Sequence, residues 1–270
     1  MKLLLNAEAL RPPLTGVGNY TFHLLEEFTQ GSIVGDVACF TGTGWISGEE
    51  QLLLTQAHRG AGASADASSG MVKLVAKLRE SIARIPGTKA AYDAIMDKRF
   101  AAAANSSPGA IYHETNYILK PAQVPSVCTI HDLSHIRFPE FHPPHVVDYL
   151  NRLLPATLGR ADAIIAVSNI VRDEIIEYLS IAPERIHTIY EGVDPAFRAR
   201  DKDATAAVLG RYGLHHKRYV LMSATLEPRK GIATLLDAWE QLPQSLRTQF
   251  PLVLTGSTGW RNTAILSRIT

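Results

Sequence analysis

Cysteine is scarce in this sequence: Cys39 and Cys128 are the only two in 270 residues. Both fall in apolar, strand-like runs, Ile33 to Phe40 and Val127 to Ile130. They read as buried thiols in a reducing compartment, ahead of catalysis or metal binding. An excess of charge of one sign is also missing. Lys plus Arg total 27 against 26 Asp plus Glu, a formal net charge of +1, so the balance gives no argument for a nucleic-acid partner. No apolar run reaches the roughly 18 residues that would suggest a membrane span. No cleavable leader precedes the first strand-like run, and the expected location is the cytoplasm. What the chain does have is apolar mass. With 46% hydrophobic and 20% charged residues it matches a globular α/β protein with a substantial core, and its length suits two domains or one and a fraction.

Strand and helix signals alternate along the chain, which predicts a parallel sheet with crossover helices. Strands are expected at Lys2 to Asn6, Val37 to Phe40, Ala110 to His113, Ser126 to His131, Ala163 to Val167 and Ile186 to Ile189. A helical pattern through Phe22, Leu24, Leu25 and Phe28 follows the first strand. Gly60 to Gly70 is a run of Gly, Ala and Ser, too poor in large side chains to pack, and reads as a mobile loop. Helical patterns follow from Met71 to Ile85 and from Lys89 to Ala104, and Ser168 is a suitable N-cap for a helix from Asn169 to Leu179. The polar stretch Asp194 to Lys217 reads as a connection plus the first helix of a second domain, whose strands would be Tyr219 to Met222 and Leu252 to Leu254. The domains are therefore expected at 1–194 and 195–270.

Two segments carry ligand chemistry. Arg229 and Lys230 follow the strand-like Tyr219 to Met222 and precede the helical run Ile232 to Trp239. Ligands of open α/β sheets bind at the carboxyl ends of strands, and a helix N-terminus there offers backbone N–H groups to an anion. The pair reads as a diphosphate clamp, with an ordinary solvated surface pair as the alternative. The second segment is Thr15-Gly16-Val17-Gly18-Asn19-Tyr20, where Gly16 and Gly18 would let backbone approach a ligand without a Cβ in the way. No third glycine completes a dinucleotide fingerprint.

Taken together, Thr15 to Tyr20, Thr129-Ile130-His131-Asp132-Leu133, Arg160 to Ser168, Pro183 to His187 leading to Gly192-Val193-Asp194, and Leu226 to Lys230 resemble the retaining glycosyltransferases of family 4. The resemblance covers nearly the whole chain and is weakest between about Gln51 and Ser107. Within the family the likeness is to bacterial mannosyltransferases of O-antigen and exopolysaccharide assembly, which often carry a run like His113-Glu114-Thr115-Asn116-Tyr117. It implies a GT-B type fold: a Rossmann-like N-terminal domain on the acceptor side and a second Rossmann-like domain for the nucleotide sugar. The second is expected to be incomplete, since such domains run on for roughly another hundred residues. The family's paired-glutamate motif would lie in that continuation, and no Glu follows Glu240.

By this resemblance the reaction moves a sugar, mannose as the first expectation, from a nucleotide-diphosphate sugar such as GDP-mannose to a glycan or lipid-linked glycan, with retention of configuration. No cofactor beyond that donor is implied. His131 would contact the donor sugar near the reacting bond, and Asp132 would orient the imidazole or cap the loop. Arg229, Lys230 and the backbone around Gly16 and Gly18 would stabilise charge on the leaving diphosphate. No carboxylate nucleophile is evident, so the resemblance implies front-face attack, with the leaving phosphate taking the acceptor proton. His113, Asn116 and Tyr117, at another strand end, are assigned to the acceptor side, with loop packing as the alternative.

Four further readings stand beside this one. His131 and His135 have the four-residue spacing of a metal pair and His142 and His145 follow, but Pro139, Pro143 and Pro144 argue for a loop and against a metal site. The basic amphipathic stretch Met71 to Phe100 could rest on an anionic membrane face, although a solvated face on a packed helix is the plainer reading. The chain could also be a non-catalytic remnant that keeps the acceptor domain. A nicotinamide-dependent oxidoreductase is disfavoured by the missing Gly-x-Gly-x-x-Gly and acidic ribose partner.

Overall fold

β1 (Lys2–Asn6) is the strand around which the sheet is built, because Leu3, Leu4 and Leu5 are all buried, as a parallel strand covered on both faces requires. The computed structural model describes residues 1–12, 14–60 and 88–269. Most of the expected Gly60 to Gly70 loop and the whole Met71 to Ile85 helix lie outside the described residues. The chain divides into two compact units, Met1–Leu133 with Asp148–Glu191 and Ser134–Val147 with Gly192–Thr270.

The first unit holds a seven-stranded sheet. After β1 come α1 (Gly16–Gln30), β2 (Asp36–Phe40), β3 (Trp45–Ser47), α2 (Gly48–Gly60), α3 (Thr88–Asn105), β4 (Ala110–Glu114) and β5 (Ser126–Ile130). The spatial order is β3-β2-β1-β4-β5, continued by β6 (Ala163–Ala166) and β7 (Ile186–Thr188). All neighbours pair in parallel except β2 with β3. β3 and α2 were not anticipated. They follow from a tight reversal in which Gly42 adopts φ 85° and the Thr41 N–H bonds the Gly44 carbonyl at 3.0 Å, a backbone conformation natural to glycine.

α1 begins where Thr15 caps it, its hydroxyl accepting from the Gly18 N–H, and it turns Phe22 and Leu25 onto Leu3, Leu5, Val37 and Cys39. Burying each such large apolar side chain is worth roughly 1.5–3 kcal/mol. Phe40, Trp45, Phe100 and Tyr112 form an aromatic cluster with ring centroids 4.8 to 5.5 Å apart. Cys39 and Cys128 are free and buried, and burial pushes the Cys39 thiol up to about 12. α6 (Asn169–Leu179) has the expected bounds, with Ser168 accepting from the Val171 N–H.

Between β5 and β6 the structure differs from the expected loop. α4 (Ser134–Arg137), a short 3-10 turn (Pro139–Phe141) and α5 (Pro144–Arg160) make this segment mostly helical. Pro144 opens α5, where its missing N–H costs nothing and its fixed φ suits the first turn, so the prolines mark helix starts here. His135 lies in α4 and His145 in α5, while the imidazole of His142 bonds the Ser134 hydroxyl at 2.8 Å.

The second unit contains α7 (Lys202–Gly210), β8 (Val220–Ser223), α8 (Ile232–Glu240), α9 (Gln244–Gln249), β9 (Leu252–Thr255) and α10 (Thr263–Ile269). β8 and β9 pair in parallel. Their cover is small: Ile232, Leu236 and Ile265 are buried, with Met222, Leu226, Leu252 and Leu254 packed against them. Among the described residues no helix is long and apolar enough to cross a membrane.

Candidate functional site

The strand order reverses direction at β1 and β4: from β1 the chain winds outward to β2 and β3, then returns to the far side of β1. Where two neighbouring parallel strands send their connections to opposite sides, a crevice opens beyond their carboxyl ends, and open α/β sheets bind ligands there. A pocket of about 270 Å³ occupies this place, lined by Asn6 at the end of β1 and Glu8 beyond it, by Glu114 at the end of β4 with Thr115 to Ile118 and Lys120 beyond it, and by Tyr149 and Leu150 of α5.

Of the lining residues Glu114 is 2% exposed. Its Oε2 accepts from the Tyr112 hydroxyl at 2.6 Å and the Asn6 Nδ2 at 2.8 Å, and its Oε1 from the Asn116 N–H at 3.1 Å. Burial raises its pKa to about 7, although these donors and Lys120 pull the other way. Burial, then the Glu114 charge, holds the Tyr112 phenol well above its ordinary range, so it stays a donor. Lys120 bonds Glu8 at 3.1 Å, approaches Asp97 at 3.6 Å and lies 5.2 Å above the Phe40 ring. Burial works to lower the Lys120 pKa, but Glu8 and Asp97 outweigh it and the net shift is upward.

His131 stands just past the end of β5. Its Nε2 donates to the Thr115 carbonyl at 2.8 Å and its Nδ1 lies 3.2 Å from Glu191 Oε1. The Tyr20 ring from α1 meets the imidazole edge-on with centroids 5.0 Å apart. The ring is thus fixed by Thr115, Glu191 and Tyr20, none of which sequence reasoning selected. Asp132 begins the following loop, its N–H donating to the Tyr117 hydroxyl at 3.2 Å.

The acceptor-side residues separate. Tyr117 and Asn116 do line the pocket, and Tyr117 adopts φ 63°, held by its N–H to the Thr129 carbonyl and by the Cys128 thiol on its own carbonyl. His113 does not line it. β4 runs on to Glu114, so His113 lies inside the sheet, 5% exposed, with Nε2 2.9 Å from the Thr129 hydroxyl. Burial, and then the neighbouring His131, lowers its pKa to about 4, which keeps it neutral. The sequence signal for Glu114 was the two-residue alternation of β4. Ala110, Tyr112 and Glu114 share one buried face, and a carboxylate at such a position needs donors brought to it.

Gly16 and Gly18 also have different roles. Gly16 is exposed at the start of α1, with nothing near the position of an added Cβ. Gly18 is buried, its N–H is taken by Thr15, and a Cβ there would sit 2.7 Å from the Ala9 carbonyl oxygen. Gly18 therefore serves close packing of α1 on the turn after β1, a correction to its reading as a ligand contact. In the second unit, Arg229 and Lys230 are exposed in a 3-10 turn (Pro228–Lys230) that leads through Gly231, at φ 67°, into α8. Arg229 is paired with Glu227, its Nη2 3.0 Å from Oε1. Among the described residues no cluster of His, Cys, Asp and Glu could hold a metal ion.

Comparison with known proteins follows the same lines. Residues 14–197 match Glycosyltransferase Family 4. The chain is 31% identical over 262 residues to O-antigen chain mannosyltransferase B of Escherichia coli, which covers 97% of this chain and 66% of that protein. It is 34% identical over 169 residues to the serotype-specific mannosyltransferase WbdA of the same organism, over 57% of this chain and 20% of that protein. The fold is similar to that of Anabaena Alr3699/HepE, solved in complex with UDP and with UDP and glucose. TM-scores are 0.56 and 0.58 at 17% identity, over all of this chain and 64% of that one. These neighbours have the GT-B fold expected from the sequence.

Proposed function

The chain belongs to glycosyltransferase family 4, and on that premise we propose that it takes part in moving a mannosyl unit from a nucleoside-diphosphate sugar, GDP-mannose as the first candidate, to a glycan or lipid-linked glycan. The observation that carries this reading is the pairing of two features in one unit: a pocket at the β1–β4 reversal and a fixed imidazole, His131, held by the loop that lines that pocket. Asn6, Glu8 and Asn116 give the pocket the amide and carboxylate groups that bond sugar hydroxyls, with Tyr117 and Tyr149 as apolar faces. Likeness to O-antigen mannosyltransferases supports mannose and a polysaccharide product, and the UDP complexes of HepE support a nucleoside-diphosphate donor.

In the proposed reaction the diphosphate leaves with its charge stabilised by Arg229 and Lys230, Arg by a forked contact and Lys as a point charge. Arg229 would exchange its Glu227 partner for phosphate oxygens. His131, near the reacting centre, would hold the donor sugar or its acceptor oxygen in place. Retention then follows from attack on the face the diphosphate leaves, with no carboxylate nucleophile required. The work would be done in the cytoplasm, at the membrane face where the acceptor is lipid-linked.

Calorimetry with GDP-mannose, UDP-glucose and NAD, followed by incubation of labelled GDP-mannose with an oligomannoside, tests the proposal. GDP-mannose should bind best, and the anomeric NMR signals of the product should show retention. Arg229→Ala and Lys230→Ala should each weaken GDP binding by about 1.5–3 kcal/mol, the worth of a charge-assisted contact. Unchanged GDP affinity in both variants would remove the clamp, and binding of NAD in preference to GDP-mannose would remove the reaction.

A further inference from the structure

Glu114 touches both ends of a short chain of contacts that reaches His131. Its Oε1 accepts the Asn116 N–H, closing a two-residue turn around Thr115. The Thr115 carbonyl, inside that turn, is the acceptor of the His131 Nε2–H. The Thr115 hydroxyl donates to the Asn6 carbonyl at 3.2 Å, and the Asn6 amide in turn donates to Glu114 Oε2. Tyr117, the next residue of the turn, receives the Asp132 N–H on its hydroxyl. A single buried carboxylate therefore gathers the strand β1, the pocket-lining turn and the residues flanking the imidazole.

Resting on the proposed transfer reaction, we infer that Glu114 is a positioning residue: by holding the Thr115–Tyr117 turn it sets the place of His131 and couples the contents of the pocket to the imidazole. The carboxylate form is the one this site is built around, since Tyr112, Asn6 and the Asn116 N–H all present donors to it. Protonation puts an O–H among donors and loosens the turn. The groups facing it are Tyr112 on its own strand, Asn6 at the end of β1, Lys120 with its partners Glu8 and Asp97, and Cys128 on β5. Of these, only Lys120 brings a positive charge near it. Its raised titration, at about 7, places the change between a held and a loosened turn near neutral pH.

The test reads His131 directly and needs no donor sugar. Histidine ring ¹⁵N–¹H correlation spectra of the folded 270-residue chain should show a His131 Nε2–H signal that is protected above neutral pH and broadens as Glu114 is protonated. Glu114→Gln places an amide N–H₂ among donors, so the signal should be weakened at every pH and the step near neutrality lost. Tyr112→Phe keeps the carboxylate but removes one donor to it, so the step should persist and move to higher pH. A His131 signal in Glu114→Gln with the wild-type pH response would overturn the inference. Should Glu114→Gln fail to fold, an unmoved step in Tyr112→Phe overturns it equally. In the transfer assay Glu114→Gln should lower kcat at least ~10-fold, within the range of a misplaced catalytic group. Absence of transfer in the wild type would count against the proposed function, while the His131 spectra would still decide the role of Glu114.

Discussion

His113 and Glu114 are consecutive, both buried, and displaced in opposite directions, one down to about 4 and the other up to about 7. The native state withholds a proton from His113 that the unfolded chain binds below 6.5. That stabilising contribution is present above 6.5 and lost as pH falls through about 4. The native state holds a proton on Glu114 that the unfolded chain has lost above 4.5, so its contribution is present below 4.5 and lost as pH rises through about 7. Each displacement corresponds to about 3 kcal/mol. The two slopes oppose one another over the shared window from 4.5 to 6.5 and nearly cancel. Denaturant titrations at a series of pH values should therefore show His113→Gln losing stability from pH 5 upward to 7.5, and Glu114→Gln losing it from pH 6.5 downward to 4. Curves for the two variants that stay parallel would mean that neither group carries the assigned shift.

At the scale of the element, α1 illustrates how a glycine pair divides its work. Ala at Gly18 meets a backbone oxygen at 2.7 Å and a side chain, Leu14, at 3.2 Å. Gly18→Ala should destabilise the first unit by about 1–3 kcal/mol, the usual cost of overpacking. Gly16→Ala, in open space at the helix start, should stay within ~0.5 kcal/mol. Urea unfolding of both variants checks this, and equal effects would remove the distinction. The elements most open to reading were those with local signals: α6 behind Ser168, and strands β1, β5 and β6 with their continuous apolar runs. α5 was missed because Pro139, Pro143 and Pro144 were weighed as signs of a loop. Its apolar positions Val146, Val147, Leu150, Leu154 and Leu158 nonetheless keep helical spacing. The site was legible as far as the strand ends that carry His131, Asn116 and Tyr117. Its remaining parts depend on distant pairs, since Glu191 is 60 positions from His131 and Asn6 is 108 from Glu114. No local pattern reports those distances.

Across the whole molecule, the two units differ in how deeply their strands are covered. β5 has four of its five residues buried, whereas no residue of β8 is, with Val220 41% and Leu221 54% exposed. Amide exchange should accordingly be faster at Val220 to Ser223 than at Ser126 to Ile130, by on the order of 100-fold under native conditions. Mass spectrometry of exchanged peptides measures this, and equal protection would show that the second unit gains cover from packing not visible in its own core.

β1 lies inside the larger sheet, between β2 and β4, yet it precedes both of them along the chain. One of its ladders closes early, with β2, but the other must wait for β4, whose Glu114 lies 108 positions behind Asn6. At about 5–20 residues per second, the ribosome delivers that partner on the order of 5–20 s after β1 has emerged. Throughout that interval the sheet carries an open, leucine-rich edge. The rate at which the ribosome passes the codons before residue 110 thus sets how long a nascent chain offers that edge to trigger factors, to other nascent chains, or to its own wrong strands.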